Sequence, residues 1–111
     1  MTIASLEPVK VQIPLPMARI EEFCRKRHVI EFALFGSVLR DDFRPDSDVD
    51  VLITFEPGVG VTLVDLGSIS LELELMLGRR VDVLERQGVE EMRNPFLRPE
   101  ILRSARVIYA R

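Results

Sequence analysis

The chain has 111 residues, 47% of them apolar and 30% charged, with a formal net charge of -3. That is the size and composition of one globular domain able to bury a core, and it excludes a disordered tail. One cysteine excludes an internal disulfide, and no apolar run approaches the roughly 18 residues of a membrane span. The first 20 residues also lack a signal peptide's basic-then-apolar order, so a soluble cytoplasmic protein with no membrane partner is expected. The negative charge argues against a generic nucleic-acid coat, and no direct nucleic-acid binding is expected. Arg outnumbers Lys thirteen to two, a bias that suits phosphate or carboxylate recognition and equally suits genomic composition or a hot habitat.

Residues 1–16 read as an N-terminal arm, with three prolines in Glu7–Pro16, ahead of a single domain over 17–111. Met17–His28 fits a helix whose apolar face carries Met17, Ile20, Phe23 and Cys24. Val29–Phe35 reads as a buried strand. Gly36-Ser37 then breaks the chain, with Ser37 a candidate N-cap for a short helix over Val38–Asp42. Phe43–Ser47 is turn chemistry, and Asp48–Phe55 alternates before becoming wholly apolar, as a strand entering a core does. Thr62–Leu77 predicts a helix with Leu63, Leu66, Ile69, Leu73 and Leu77 at helical spacing, forming core or a dimer interface, and Gly78 as its stop. Val81–Leu84 predicts a short strand, Pro99–Ala105 a short helix, and Val107–Tyr109 an edge strand or a docked tail. Met92–Arg98 is apolar and broken by proline, fit to contact a partner or to close the core. The order implies a small α/β or α+β sandwich with three or four strands in one sheet and leaves parallel against antiparallel pairing open.

The chemistry concentrates in Gly36-Ser37, ten further residues, then Asp48-Val49-Asp50. Residues i and i+2 of a strand point to the same face, about 6–7 Å apart. Asp48 and Asp50 therefore stand together while Val49 and Val51 face the core. Two such charges at ~4 Å repel by about 4 kcal/mol at an effective dielectric near 20, so they protonate, splay or hold a cation. Hard carboxylate oxygens suit Mg²⁺, which binds one or two protein carboxylates together with substrate phosphates. Asp82, between Val81 and Val83, joins the same face if its strand pairs beside that of Asp48 and Asp50. Three carboxylates so placed can hold two metal ions and clamp both oxygens of a phosphoryl or nucleotidyl transfer, with Asp82 also placed to take the proton of the incoming hydroxyl. Gly36 lets backbone N–H groups approach a phosphate, Ser37 can donate to it, and Arg40 and Arg44 can pair with its remaining charge. In a random chain of this composition the Gly-Ser and Asp-x-Asp spacing arises roughly one time in a thousand. A calcium loop starting at Asp46 fails, because its sixth and twelfth positions hold Val51 and Pro57 in place of Gly and Glu.

Phe35–Phe55 (FGSVLRDDFRPDSDVDVLITF) resembles the signature of the minimal nucleotidyltransferases, small members of the DNA-polymerase-β-like superfamily. The likeness extends to Val81-Asp82-Val83-Leu84 and to the tail from Arg98 to Tyr109. It implies a nucleotidyltransferase-like α+β fold, a small mixed sheet of three to four strands packed with helices. It also implies Mg²⁺-dependent transfer of AMP from ATP, with Gly36 and Ser37 at the triphosphate and Asp48, Asp50 and Asp82 as catalytic metal ligands, two ions being expected. Members of this family commonly act as antitoxins that adenylylate a tyrosine of a HEPN-type RNase toxin, so a toxin partner is implied, in a hetero-complex or alongside homo-oligomers. The chain departs from the common Arg-Gly-Asp after the short helix, having Arg40-Asp41-Asp42 instead. Two alternatives remain open: a non-catalytic antitoxin or binding module that neutralises its partner by contact, and nucleotidyl transfer to a small molecule or RNA.

Other polar residues have plainer readings. His28 sits near a helix C-terminus, where a cationic ring is favourable. Asp41, Asp42 and Asp46 cap turns, and Glu72 and Glu74 are solvated or face a partner. Arg79-Arg80 either complement the dipole of the long helix or bring one guanidinium near the nucleotide.

Overall fold

Strand β1 (Val29–Phe35) is the centre around which the fold is arranged. The computed structural model describes residues 11–91, 93 and 97–111. β1 pairs antiparallel with β2 (Val49–Phe55) on one side and with β4 (Arg106–Ala110) on the other. β3 (Val81–Glu85) adds to the far side of β2 in parallel, giving a mixed sheet in the order β3-β2-β1-β4. The C-terminal residues are therefore an edge strand, which settles the choice between strand and tail.

Alternation along the strands divides the interior into two layers. Phe32, Leu34, Val49, Val51, Ile53 and Val81 point to one face, covered by helix α1 (Met17–Lys26) through Ile20, Phe23 and Cys24 and by α2 (Leu63–Leu77) through Ile69 and Leu73. The rings of Phe23 and Phe32 meet edge to face there, 6.2 Å apart. Ala33 and Leu52 point to the opposite face, covered by Val89 of α3 (Arg86–Glu90) and Ile101 of α4 (Leu97–Ser104). Asp50 shares the parity of Leu52, and Asp82 that of Leu84, so both belong to this second face.

Local chemistry explains the boundaries. α1 ends two residues before the predicted His28, which instead takes a left-handed φ of 60° and turns the chain into β1. The ring of His28 lies against Glu56, which also binds Arg111. α2 opens on a reciprocal capping box between Thr62 and Asp65 and ends on left-handed Gly78, as its sequence predicts. Its buried side is narrower than the leucine spacing suggests. Only Ile69 and Leu73 are fully enclosed, whereas Leu63 is 86% exposed, and Val64, Leu71 and Leu75 are exposed with it. Glu72 and Glu74 are not simply solvated. Glu72 accepts from Lys26 and Arg27 at 2.8 and 2.9 Å, and Glu74 accepts the N–H of Val81 at 3.0 Å. Ser70 donates to the carbonyl of Val81 at 2.8 Å, so α2 fixes the start of β3 with two bonds.

Two further expectations change. The short helix after β1 is a 3-10 turn over Gly36–Leu39, and Ser37 lies inside it rather than capping it, because the extended Phe35 precedes the first turn residue. Helix α3 was not anticipated, since five residues around Gly88 carry no readable periodicity. Of the arm, residues 1–10 lie outside the described residues, and so do Met92 and residues 94–96 of the apolar stretch. From Val11 onward the chain packs on the core through Ile13, and the N–H of Gln12 donates to the carbonyl of Val38.

Cys24 is enclosed in the first layer, and burial pushes its thiol up to about 12. The reactive species is the thiolate, so a disulfide reagent at pH 8 should label Cys24 only as fast as the chain opens, and rapidly in denaturant. Fast labelling of folded protein would contradict this packing.

Candidate active site

The second face of the sheet is roofed along only part of its length. Leu52 and Leu84 lie beneath α3 and α4, but one pleat earlier the same face presents Asp50 and Asp82, which are direct neighbours in the β2–β3 register. Asp82 is exposed and Asp50 is partly enclosed. The valines on either side, Val49, Val51 and Val81, are anchored in the other layer, so neither carboxylate can turn away without a register slip.

Gly36 closes over this pair. It pairs with neither strand, but Phe35 before it is opposite Asp50, and Gly36 itself takes a φ of 77°. A Cβ built there would stand 2.3 Å from Oδ2 of Asp50. Both the backbone conformation and the space therefore require glycine, and the result is main chain directly against a carboxylate. Burial first, then the fields of Asp82 and Asp48, push the Asp50 carboxyl up to about 6, while Arg40 pulls it down.

Asp48 lies just before β2 and is exposed; its Oδ1 forms an ion pair with Nε of Arg80 at 3.1 Å. Arg40, leaving the 3-10 turn in extended conformation, binds Asp42 at 3.1 Å. Ser37 contributes its carbonyl to the N–H of Arg40 at 2.9 Å. Arg44 is exposed in the following loop, where its N–H donates to Oγ of Ser47 and its carbonyl accepts from Arg79. Gly36, Asp48, Asp50, Asp82 and Arg40 are thus drawn into one electrostatic group, with Ser37 and Arg44 on its border. Of the two arginines that the sequence offered near the site, Arg80 is the one that reaches Asp48. Its signal was its position two residues before Asp82, which the parallel register carries alongside the start of β2: Val49 N–H donates to the Arg80 carbonyl at 2.9 Å.

Among the described residues no three His, Cys, Asp or Glu side chains close into a ready-made metal cage. The donor set nevertheless fits a hard divalent cation. It offers carboxylate oxygens where burial, and after it the fields of Asp82 and Asp48, raise Asp50, and Mg²⁺ takes one or two protein carboxylates with substrate phosphates rather than an all-protein cage. A separate pocket of 440 Å³ opens at the other end of β2 and β3, lined by Thr54, Phe55, Glu56, Glu85, Arg86 and Glu90 among others, and contains none of the three aspartates.

This fold and this arrangement of acids define a nucleotidyl-transferring domain. The chain belongs to the nucleotidyltransferase domain family, which it matches over residues 17–108. It is 38% identical over 80 residues to a protein of Methanocaldococcus jannaschii provisionally named a protein adenylyltransferase, MJ0435, covering 72% of this chain and 80% of that protein. A solved structure provisionally assigned to a minimal nucleotidyltransferase superposes with a TM-score of 0.60 at 38% identity, over 79% of this chain and 84% of that one. A chain from the solved complex of a tri-AMPylated Shewanella oneidensis HEPN toxin with its MNT antitoxin superposes with a TM-score of 0.59 over 85% of this chain and 69% of that one. At 14% identity that last likeness shows the fold. Within its family the chain is of the minimal nucleotidyltransferase type.

Two measurements test the geometry. Gly36→Ala should cost roughly 1–2 kcal/mol from the left-handed backbone alone, read by urea denaturation, and should also displace the Asp50 carboxylate. Gly60→Ala, with open space and no positive φ, is the near-neutral control. Equal losses in the two variants would contradict the close approach at Gly36. Unfolded Asp50 releases its proton near 3.8, and folded Asp50 holds it to about 6. The folded state therefore binds the extra proton in this window, and its stability, full below pH 4, falls as pH rises through 6. In buffer without divalent cations Asp50→Asn should remove that part of the slope; an unchanged slope would show that Asp50 titrates normally.

Proposed function

We propose that this chain is a cytoplasmic adenylyltransferase that moves AMP from Mg·ATP to the hydroxyl of a tyrosine on a protein partner, a HEPN-type toxin, and thereby acts as an antitoxin. The observation that carries the reading is the alignment of Asp50 with Asp82 beneath the main chain of Gly36. Chemistry at an α-phosphorus needs concentrated negative oxygen beside backbone that can touch phosphate, and this is the place where the chain supplies both.

In this reading Asp48, Asp50 and Asp82 hold Mg²⁺, two ions in the full complement. The metal neutralises phosphate charge when bound. The chain's own residues do the rest. Gly36 and Ser37 present N–H and hydroxyl donors to the triphosphate, and Arg40 and Arg44 supply positive charge around it. Asp82, the most open of the pair, accepts the proton of the incoming hydroxyl. The hydroxyl oxygen bonds to the α-phosphorus as the bond to pyrophosphate breaks, so the partner gains one adenylyl group and pyrophosphate leaves. Catalysis of this type is positioning and charge stabilisation, which suits residues mounted on strands.

The protein acceptor is supported from two directions. One solved neighbour comes from the complex of a tri-AMPylated HEPN toxin with an MNT antitoxin. The chain also exposes Leu63, Val64, Leu71 and Leu75 on α2, an apolar surface suited to a macromolecular partner.

Incubating the chain with Mg·ATP and a HEPN-type protein, followed by intact mass spectrometry, tests the proposal. The expected result is a partner heavier by one or more AMP units. Asp48→Asn, Asp50→Asn and Asp82→Asn should each slow the transfer by roughly a hundredfold or more while the fold survives. Tight binding with no mass gain would instead identify a module that neutralises by contact, and labelling of RNA or a small molecule alone would move the acceptor elsewhere.

A further inference from the structure

The two arginines between α2 and β3 have different surroundings. Arg79 is locked: its guanidinium donates to the carbonyls of Arg44 and Pro45 at 3.3 and 3.1 Å and lies 4.7 Å over the Phe43 ring. Arg80 is fixed only at its backbone, where its carbonyl accepts from Val49. Its side chain is 75% exposed and has two partners: it forms an ion pair with Oδ1 of Asp48 at 3.1 Å and donates to the carbonyl of Asp46 at 3.2 Å.

We propose that Arg80 is a phosphate-binding residue that changes partner: its guanidinium rests on Asp48 and passes to the triphosphate when a divalent cation takes that carboxylate. The inference rests on the reading of this site as one for Mg·ATP. A guanidinium and a divalent cation at the same carboxylate oxygen repel, so binding the cation there releases Arg80. An exposed ion pair is weak, so releasing it costs little. The backbone anchor keeps the freed side chain beside the site, where the triphosphate is the strongest available acceptor for its planar fork. Arg79 cannot make this exchange without abandoning the loop it holds, so it is a structural clamp.

This arrangement has a signature of opposite signs. Arg80→Ala removes a competitor from Asp48, so Mn²⁺ alone, followed by electron paramagnetic resonance on the full chain, should bind roughly two- to fivefold more tightly. The same variant loses a phosphate contact, so Mg·ATP at saturating Mg²⁺, followed by calorimetry, should bind roughly tenfold more weakly. Arg80→Lys retains the charge without the fork; it should bind Mn²⁺ as the wild type does and recover part of the Mg·ATP affinity. Both affinities falling together would make Arg80 a purely structural support for Asp48, and neither changing would leave it without a role; either result overturns the inference. If the wild type takes up no Mg·ATP, the reading of the site itself fails, a result distinct from a wild type that binds and a variant that binds equally well.

Discussion

The repulsion between Asp50 and Asp82 is the constraint on which the rest of the molecule depends. Parallel pairing of β2 with β3 sets the two acids side by side, and the valines alternating with them are sunk in the opposite layer. A sheet will not ordinarily accept like charges opposite one another. Here the cost is borne by the core, because moving either acid by one residue would place a valine in water and a carboxylate among Ile69 and Leu73. Hydrophobic burial thus holds a charge arrangement that would not assemble by itself, and the raised Asp50 carboxyl reflects its burial first and the neighbouring acids second.

Much of this was legible in the sequence, for reasons that can be located. β1, β2 and the end of α2 were readable because they rest on local signals: a run of branched and aromatic residues, strict alternation and a terminal glycine. Asp50 and Asp82 were readable as partners only on condition that their strands meet, which is a long-range fact and needed the sheet order. The short turn after Phe35 was misjudged because Ser37 carries a capping side chain but lacks the capping position. Helix α3 escaped because its one buried residue, Val89, cannot create a period. Spacing leaves Leu63 open between core and interface, and only the structure shows that the core-facing stripe of α2 begins a turn and a half later, at Ile69.

Charge pairing around the site follows a division between neighbours. Arg79 spends its donors on main-chain carbonyls of the loop from Arg44 to Pro45, so the loop's shape does not depend on any acid of the site. Arg80 touches an acid and a carbonyl. Adjacent residues of one type therefore divide the work, one holding the loop and the other meeting the charge, and the distinction is invisible in the dipeptide itself.

The site is also split by distance along the chain. Gly36, Asp48 and Asp50 belong to a single antiparallel hairpin, whereas Asp82 reaches the group only after the 15-residue crossover helix α2 has docked. Closing the larger loop costs more chain entropy, and parallel strands cannot be joined by a tight turn. The glycine turn and the first two acids can take shape from nearby contacts, but Asp82 arrives with the tertiary structure. A nascent or partly opened chain would then display the glycine turn and first two acids without the third, so the complete acidic group exists only once the sheet is complete.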